Sequence, residues 1–540
     1  MSIFRPGDTV TPLRTETVHN VLPAWSLNNL FGGITLPQNP GMADNNYNNG
    51  HQDSYCSESV GLTGPNSDKL RLILKKNPYG FTPLMTCNQN NQMIAVAYGL
   101  GVFHLIVFDS ECEILTATLV AIKADIGTFS GGYFYLNQDY NAVVVSNNKL
   151  ACFPTANVAK KDSVYSLNAL WTSDDLVKLI TKPFGGIDNH LYIGMPVWQE
   201  NSNLYWVLLA GEYDFDTSTL KSSAFIAVVK IEPDCTQSNG CKTTLLDSMK
   251  LKHQWNNNTM AVSEQGVFFV TNGCDETGAC TSGYLYSIGF DTATGKMKTN
   301  WKSPYKNSGF LKPGQKNIGS GTTPTLFDGT DGTEYVAITD NAYPQVNVAI
   351  YERCGGKPVC EVPVFPKMRG CDEASLIGVN GRVVVENNFG HTIDYPNSQY
   401  IANEPGMDLI EVKPEGGSEI IWKNDHFGVF GMSMLARDSG VIFANTGDWN
   451  VADASTKGGL YSISAIDSWD GREIWRIPLG QGREYCHDYG GVYFNRTKSD
   501  KGSGTSLFVG TENFLVSIQN YDQPSVKPRT LDEVQQSTSE

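Results

Sequence analysis

The chain has 540 residues, a formal net charge of −16 at pH 7 and a pI near 5.0. This acidic balance argues against a nucleic-acid partner, because no basic stripe is present to neutralise a phosphate backbone. The strongest apolar stretch, 95–108, is too short to span a bilayer and is interrupted by Gly99 and Gly101, so we expect a hairpin and no membrane span.

The N-terminal residues 1–69 are predicted to form an irregular segment that packs on the remainder of the chain. Residues 6–65 are rich in Asn, Gly and Pro and carry no strand repeat, and 50–56 is their most chemically dense part. Two roles remain open: the segment lies across a channel as a lid or floor, or it only covers a sheet edge. No apolar leader precedes Arg5, so we expect that a signal segment was removed.

A degenerate repeat occupies most of the remaining chain. Its clearest copy, 259–301, contains four short strand patterns, with a Gly-closed turn at 291–296 and then Trp301. The same order returns at 459–475, and more weakly at 409–422. Four-stranded units of this length are typical of the radial blades of a β-propeller, and the large ring of each Trp is predicted to pack between blades.

The repeat predicts an all-β fold, a single β-propeller over 70–521 with eight four-stranded blades; seven is the alternative, because 150–220 is irregular. Strand 70–74 is expected to close the ring by pairing with the C-terminal strands. The polar tail 522–540 is predicted to be disordered. Inner strands are predicted near Pro83, Gly132, Ile193, Met260, Pro324, Ser375, Ser433 and Gly491.

Three cysteine pairs have the same C-x5-C spacing: Cys235/Cys241, Cys274/Cys280 and Cys354/Cys360. We predict disulfides that staple hairpin tips, because the usual two-residue spacing of a zinc site is missing. With two glycosylation sequons, at Asn257 and Asn495, these pairs favour a secreted protein. The remaining cysteines pair or stay free: Cys56, Cys87, Cys112, Cys152, Cys371 and Cys486.

In a propeller, the loops before the inner strands and those between second and third strands open on one face. His190, His253, His426 and His487 fall in loops of the first kind, and His391 follows a second strand. Acids, amides, imidazoles and aromatics at a channel mouth suit a small polar ligand with an apolar body. The alternative is that the Asn and Asp side chains only cap turns.

The Asp…Gly-Lys/Arg…Trp pattern resembles the tryptophan-docked blades of quinoprotein-like propellers. Quinoprotein dehydrogenases of that kind carry an adjacent cysteine pair against the quinone, and no Cys-Cys dipeptide occurs here. The resemblance therefore implies the fold without the cofactor, and we expect neither a cofactor nor a metal ion.

Residues 319–326, 336–342, 375–378 and 385–390, together with 51–59, are similar to a family of secreted fungal and bacterial propeller proteins. Its fungal members include the hetero-Diels–Alderases of tropolonic sesquiterpenoid biosynthesis. The resemblance implies that a hydroxymethyl tropolone loses water and that the resulting quinone methide adds to an alkene of a humulene-type terpene. The expected partners are these two small molecules.

The implied chemistry needs proton donors, hydrogen bonds to the tropolone oxygens and an apolar wall. The candidate catalytic residues are His51, His253, His426, Arg483, Tyr485 and His487. The candidate substrate contacts are Trp255, Asn258, Thr322, Asp340, Asn341, Glu373, Asn387, Phe427, Phe430 and Met432. Two other functions stay open: a non-catalytic propeller that binds a glycan or another extracellular ligand, and a hydrolase or oxidoreductase that uses a rim metal.

Overall fold

The structure is a computed structural model that describes residues 12–45, 48–122, 132–186, 189–200, 203–214, 219–220, 223–233, 241–256, 258–274, 280–315, 317–390, 404–414, 416–447, 460–487, 490–499 and 502–521. Eight antiparallel sheets stand in a ring, so the chain is an eight-bladed β-propeller. The prediction of an all-β propeller with eight blades is therefore confirmed.

The strands follow one another in blade order, from the inner to the outer strand of each blade. Three strands precede the first blade: β1 (Pro12–His19), β2 (Ser59–Val60) and β3 (Lys69–Lys76). Blade 1 contains β4 (Met85–Cys87), β5 (Met93–Gly99), β6 (Val102–Phe108) and β7 (Ile114–Ile122). Blade 2 contains β8 (Phe134–Leu136), β9 (Ala142–Ser146), β10 (Lys149–Phe153) and β11 (Trp171–Thr172), followed by α1 (Leu176–Thr181) and a 3₁₀ turn (Lys182–Phe184).

Blades 3 and 4 carry additions to the four-stranded plan. Blade 3 contains β12 (His190–Pro196), β13 (Leu204–Ala210), a side hairpin of β14 (Tyr213–Asp214) and β15 (Thr219–Leu220), β16 (Ala224–Pro233) and β17 (Cys241–Leu251). Blade 4 has β18 (Gln254–Asn256) and β19 (Ala261–Ser263) side by side on β20 (Gly266–Gly273), then β21 (Ser282–Asp291) and β22 (Lys296–Lys306).

The remaining blades complete the ring. Blade 5 contains β23 (Thr325–Asp328), β24 (Glu334–Thr339), β25 (Val346–Glu352) and β26 (Pro358–Val364). Blade 6 contains β27 (Ile377–Val379), β28 (Arg382–Glu386), β29 (Met407–Val412) and β30 (Ser418–Asn424). Blade 7 has β31 (Gly428–Val429) and β32 (Met434–Ala436) on β33 (Val441–Gly447), then β34 (Leu460–Asp467) and β35 (Glu473–Gln481), with a 3₁₀ turn (Arg483–Tyr485). Blade 8 contains β36 (Tyr493–Ser499), β37 (Gly502–Gly510), β38 (Phe514–Asn520) and β3.

Burial along the strands explains why each blade forms. In blade 4 every residue of β20 is buried, because this strand is covered by the neighbouring blade on each face. In the outer strand β22, exposed residues alternate with less exposed ones, which is the period of a strand with one solvated face.

The N-terminal strand closes the ring, as the sequence predicts. β3 pairs antiparallel with β38, with Leu70 opposite Asn520 and Lys76 opposite Phe514. β1 then pairs with β3 as a fifth strand of this blade. The sequence did not predict β1, because it is mainly polar and lacks the apolar alternation that marks a half-buried strand.

Two of the repeated tryptophans dock between blades. Trp301 in blade 4 donates its indole N–H to the carbonyl oxygen of Arg353 in blade 5, 2.8 Å away. Trp422 in blade 6 donates in the same way to Ser468 in blade 7, at 3.0 Å. Each hydrogen bond joins the outer strand of one blade to the turn between the third and fourth strands of the next, which confirms the predicted role of these residues.

The segment 48–60 is buried inside the ring and follows the blades in order; we call it the plug. Its carbonyl oxygens accept backbone hydrogen bonds from inner strands: Asn48 from Leu136, Ser54 from Val262, Tyr55 from Leu326, Ser57 from Gly378, Glu58 from Leu435 and Val60 from Arg437. These bonds occupy inner-strand edges that would otherwise face the channel unpaired. The plug therefore covers inner-strand edges of blades 2, 4, 5, 6 and 7, in line with the predicted edge-covering role.

The cysteine prediction is correct for one pair and wrong for another. Cys274 and Cys280 form a disulfide. Cys354 and Cys360 are free thiols, because the strand register places Ile350 opposite Cys360 and leaves Cys354 exposed in the turn. Cys241 is also free, and its predicted partner Cys235 lies outside the described residues. The six remaining cysteines are buried, and Cys56, Cys87, Cys112, Cys152 and Cys371 are free thiols.

One of the two sequons, at Asn495, lies in the described part of the chain. Asn495 lies in the inner strand β36, is buried, and donates its side-chain amide to the carbonyl oxygen of Asn91 at 2.9 Å. Its amide is therefore enclosed in the folded protein. Asn257 lies outside the described residues, as do residues 1–11 and the tail 522–540. No helix in the described part of the chain is long and apolar enough to cross a membrane.

Candidate functional site

Polar side chains from the plug and from blades 2 to 8 meet around the axis, near the face where the inner strands begin. We call this set the axial cluster, and its members are His51, Glu58, Tyr133, Tyr192, Asn258, Thr323, Asp372, Glu373, Glu386, Ser433 and Tyr493. Most members lie just before or at the start of an inner strand. Because these starts converge at one end of a propeller axis, residues distant in sequence become neighbours.

His51 and Glu58 pair within the plug. The Nδ1 atom of His51 contacts the Glu58 carboxylate, and its Nε2 atom lies 3.3 Å from the Thr323 hydroxyl. The imidazole also stacks on Tyr133, with ring centroids 5.5 Å apart. Burial raises the pKa of Glu58, and the neighbouring His51 opposes that shift. His51 is only 2% exposed, and its ring packs against the buried side of Tyr133.

Tyr133 and Glu373 are the two partly exposed members of the axial cluster. The Tyr133 hydroxyl donates to the side-chain oxygen of Asn258, whose amide donates to the carbonyl oxygen of Gly321. Glu373 lies over Gly321, where a Cβ atom would come within 2.4 Å of its carboxyl carbon. A phenol and a carboxyl group are therefore the parts of the axial cluster that solvent can reach.

Behind these two residues, buried carboxyl groups hold protons at neutral pH. Burial raises the pKa of Glu386 to about 8, although the Ser433 hydroxyl donates a hydrogen bond to it. Burial, and then the charge of Glu386, raises the pKa of Asp372 well above its ordinary value. One oxygen of each group, Oε1 of Glu386 and Oδ2 of Asp372, has no hydrogen-bond partner within the described chain. The neutral form of each acid is thereby favoured.

Asp340 and Asn341 lie in the loop after strand β24 of blade 5, and Asn341 is hydrogen-bonded to blade 6. Burial raises the pKa of Asp340 to about 6, against hydrogen bonds from the backbone N–H groups of Ala342 and Asn347. The amide of Asn341 donates to the carbonyl oxygen of Asp372 at 2.7 Å, and its oxygen accepts from the Asp372 N–H group at 2.8 Å. Asn341 thus fixes the loop that carries the acids of the axial cluster.

Other predicted contact residues also bond to the protein itself. Asn387 accepts hydrogen bonds from the N–H groups of Cys371 and Phe389, and Thr322 accepts one from Thr339. These contacts support the turn-capping alternative for Asn387 and Thr322. Of the predicted polar contacts, Asn258 and Glu373 belong to the axial cluster.

The structure separates the predicted proton donors. His253 and His426 lie in exposed turns, and the His426 side chain is 85% exposed. His487 is fully buried with its ring 6.3 Å from that of Tyr461, and Tyr485 stacks on Phe514 at 5.1 Å. Among the described donors, only His51 belongs to the axial cluster. The side chain of Arg483, and the whole of His391, lie outside the described part of the chain.

The predicted apolar wall lies inside the protein. Trp255, Phe427, Phe430 and Met432 are 3%, 1%, 8% and 4% exposed, respectively. Trp255 packs on the Cys274–Cys280 disulfide, and the other three pack between or within blades. A Trp or Phe before an inner strand can enter the blade core as readily as the channel, and the sequence does not distinguish the two.

Sequence reasoning missed the tyrosines of the axial cluster. Tyr133 precedes β8, Tyr192 lies near the start of β12, and Tyr493 begins β36. They lie at the same inner-strand starts as the predicted histidines, so the same positional rule applies to these phenols. Glu386 ends the second strand of blade 6 and falls on the predicted face, whereas Glu58 carries no comparable signal, because its position depends on where the plug crosses that blade.

Comparisons with known proteins show no matching family model and no matching curated protein. Similar solved structures include the quinohemoprotein alcohol dehydrogenase from Comamonas testosteroni, with 11% identity over 91% of this chain and 82% of that chain and a TM-score of 0.48. A europium-containing methanol dehydrogenase has 12% identity over 86% and 89% of the two chains and a TM-score of 0.43. The WD40 domain of SCAP from fission yeast has 11% identity over 82% and 96%, with a TM-score of 0.38.

At TM-scores below 0.5 these similarities carry no functional inference, and the propeller assignment rests on the strand pairing itself. Fold and site together define the class: an eight-bladed β-propeller whose inner strands bind its own N-terminal segment. Beside that segment lies a cluster of phenols and of buried acids with raised pKa values. Among the described residues, no three His, Cys, Asp or Glu side chains are grouped to hold a metal ion.

Proposed function

We propose that the chain is a cofactor-independent hetero-Diels–Alderase that acts on a hydroxymethyl tropolone and a humulene-type terpene. The observation that supports this proposal is the axial cluster, in which acids with raised pKa values lie behind a partly exposed phenol and carboxyl group. Dehydration needs a donor that is protonated near neutral pH, and such acids meet that requirement.

In the proposed reaction, the C–O bond of the hydroxymethyl group breaks and the leaving oxygen takes a proton that the buried acids Asp372 and Glu386 supply through Glu373. The tropolone hydroxyl gives its proton to the Glu373 carboxylate, which returns it to the buried acids, so the products of this step are water and a neutral quinone methide. The quinone methide then forms one C–C and one C–O bond with an alkene of the terpene, whose π bond is consumed. The Tyr133 hydroxyl exchanges its hydrogen bond to Asn258 for one to the tropolone oxygen, which becomes more basic during dehydration.

Localisation and partners belong to the same proposal. We place the protein in the secretory pathway, and the Cys274–Cys280 disulfide supports this placement because such bonds persist in oxidising compartments. The proposed partners are the two small molecules, with no membrane and no nucleic acid.

The test is incubation of the purified chain with a hydroxymethyl tropolone and humulene, followed by quantification of the adducts. We expect faster adduct formation and a stereoisomer ratio different from that in buffer. Tyr133→Phe and Glu373→Gln are expected to lower the rate by about 10²-fold each. Glu419→Gln, an exposed carboxyl in the outer strand β30, is the matched control and should leave it unchanged.

An adduct rate and ratio equal to those in buffer would overturn the proposal and favour a non-catalytic binding protein. Activity that disappears with a chelator and returns with a divalent metal would favour the metal-using alternative. Unchanged activity in both Tyr133→Phe and Glu373→Gln would show that the reaction occurs away from the axial cluster.

A further inference from the structure

Four large apolar side chains are exposed together beside the axial cluster; we call them the ledge. Phe310 and Leu311 are 47% and 42% exposed, and Tyr343 and Met368 are 45% and 57% exposed. The rings of Phe310 and Tyr343 meet edge to face with centroids 5.1 Å apart. The backbone N–H of Met368 donates to Pro344, at 2.8 Å, so Met368 lies beside Tyr343.

All four residues lie on the face of the propeller that carries the channel mouth. Phe310 and Leu311 are in the loop between blades 4 and 5, and Met368 is in the loop between blades 5 and 6. Tyr343 is in the loop between the second and third strands of blade 5. A contiguous apolar patch on a solvent-exposed face often marks a binding site.

A buried lysine holds the three loops in place. Lys312, next to Leu311, is only 4% exposed. Its Nζ atom donates to the carbonyl oxygen of Gly370 at 2.7 Å and to that of Ala342 at 3.3 Å. One ammonium group therefore joins the loop of Phe310 to those of Tyr343 and Met368. The ledge is thus a fixed surface rather than three independent loop tips.

Lys312 also connects the ledge to the axial cluster. Burial lowers the pKa of Lys312, and the charges of Asp340 and Glu373 act in the opposite direction. Glu373 is the partly exposed carboxyl group of the axial cluster and follows Gly370, the residue that Lys312 binds, by three positions, so its charge acts on the residue that anchors the ledge. An apolar surface and an acidic one are therefore adjacent, without an intervening blade.

We propose that the ledge binds the apolar terpene partner and holds it beside the axial cluster, an inference that rests on the proposed function. A hydrocarbon macrocycle has no polar group that needs a hydrogen bond, so contact with Phe310, Leu311, Tyr343 and Met368 is enough to remove it from water. The polar tropolone then occupies the mouth, where phenol and carboxyl groups face it. The two reacting molecules are brought together by neighbouring surfaces of opposite character.

The test measures binding of humulene alone, by saturation-transfer NMR, and separately the KM for humulene in the full reaction. Phe310→Ser and Leu311→Ser are each expected to weaken humulene binding and raise its KM by about tenfold, with little change in the KM for the tropolone. Ile421→Ser is the matched control, because Ile421 has the same 42% exposure as Leu311 and lies in the outer strand β30. Thermal melting of each variant confirms that it is folded.

Each result has a distinct meaning. Equal humulene binding in Leu311→Ser and Ile421→Ser would overturn the ledge proposal. Humulene binding that depends on the ledge, in a chain that forms no adduct, would retain the ledge as a terpene site and remove the proposed function. A dimer in sedimentation that Leu311→Ser dissociates, with humulene binding unaffected, would identify the ledge as a self-association surface and overturn the inference.

Discussion

Trp301 and Gly356 form a contact between neighbouring blades in which the indole ring of one lies directly on the backbone of the other. Gly356 has a φ of 65°, and a Cβ atom added to it would lie 2.4 Å from the Trp301 ring. Trp422 lies on Gly471 in the same way, with a distance of 2.5 Å to such an atom. In both copies of the repeat, a glycine in the next blade therefore leaves the space that the tryptophan ring occupies.

This geometry predicts that Gly356→Ala destabilises the protein by about 3 kcal/mol, because the new methyl group displaces the indole and the backbone conformation disfavours an L side chain. The measurement is the free energy of unfolding in urea. Gly355→Ala is the control, since no atom lies within 4 Å of its Cβ position and its φ is not positive; we expect a change below about 0.5 kcal/mol. Equal losses in the two variants would contradict the docking role.

The plug is expected to stabilise the propeller through Asp53. Its carboxylate accepts hydrogen bonds from Tyr55 N–H at 2.9 Å and from the Ser57 hydroxyl, and it faces the buried Arg437. Asp53→Ala removes the acceptor of both hydrogen bonds and one of the two carboxylates, with Asp438, whose charge offsets that of Arg437, so we expect a loss of about 1–3 kcal/mol in the free energy of unfolding. Asp53→Asn, which retains an acceptor, should lose less, and an Asp53→Ala protein as stable as the parent would show that the plug is not needed.

Stability should depend on pH through Glu386. Its pKa rises from 4.5 to about 8 on folding, so the folded state binds one more proton between those values. The free energy of unfolding therefore decreases as pH rises through this range, by up to about 1.4 kcal/mol per pH unit. Glu386→Gln has no such proton, so its unfolding energy should fall less steeply from pH 5 to 8. Parallel pH profiles for the two proteins would contradict the assignment.

The free thiol at Cys354 gives a direct test of the corrected cysteine pairing. In native protein, we expect a maleimide to react rapidly with Cys354, because it is exposed, whereas the half-buried Cys360 reacts slowly. Intact mass should then show one rapid adduct fewer in Cys354→Ser and no change in Cys360→Ser. If these two cysteines formed a disulfide, Cys360→Ser would instead gain a rapid adduct at the released Cys354.

The sequence predicted the fold because each blade contains its own signals. Four short apolar runs, a Gly-closed turn and a following Trp are all local, and strand 70–74 was recognisable as the missing outer strand of the last blade. For the N-terminal segment, the sequence left two roles open. The segment's backbone bonds to five blades depend on carbonyl groups, which are the same in every residue type and leave no pattern in the side chains.

The sequence by itself determined the ring, its closure, the docked tryptophans and the face on which polar loops gather. Only the tertiary structure decided which of those polar groups meet: it placed Tyr133, Glu373 and Glu386 around the axis, left His426 in solvent and enclosed Trp255. The reason is that residues at the start of an inner strand can turn toward the axis, the neighbouring blade or the solvent. That choice is made by packing between blades, which no single segment of the chain encodes.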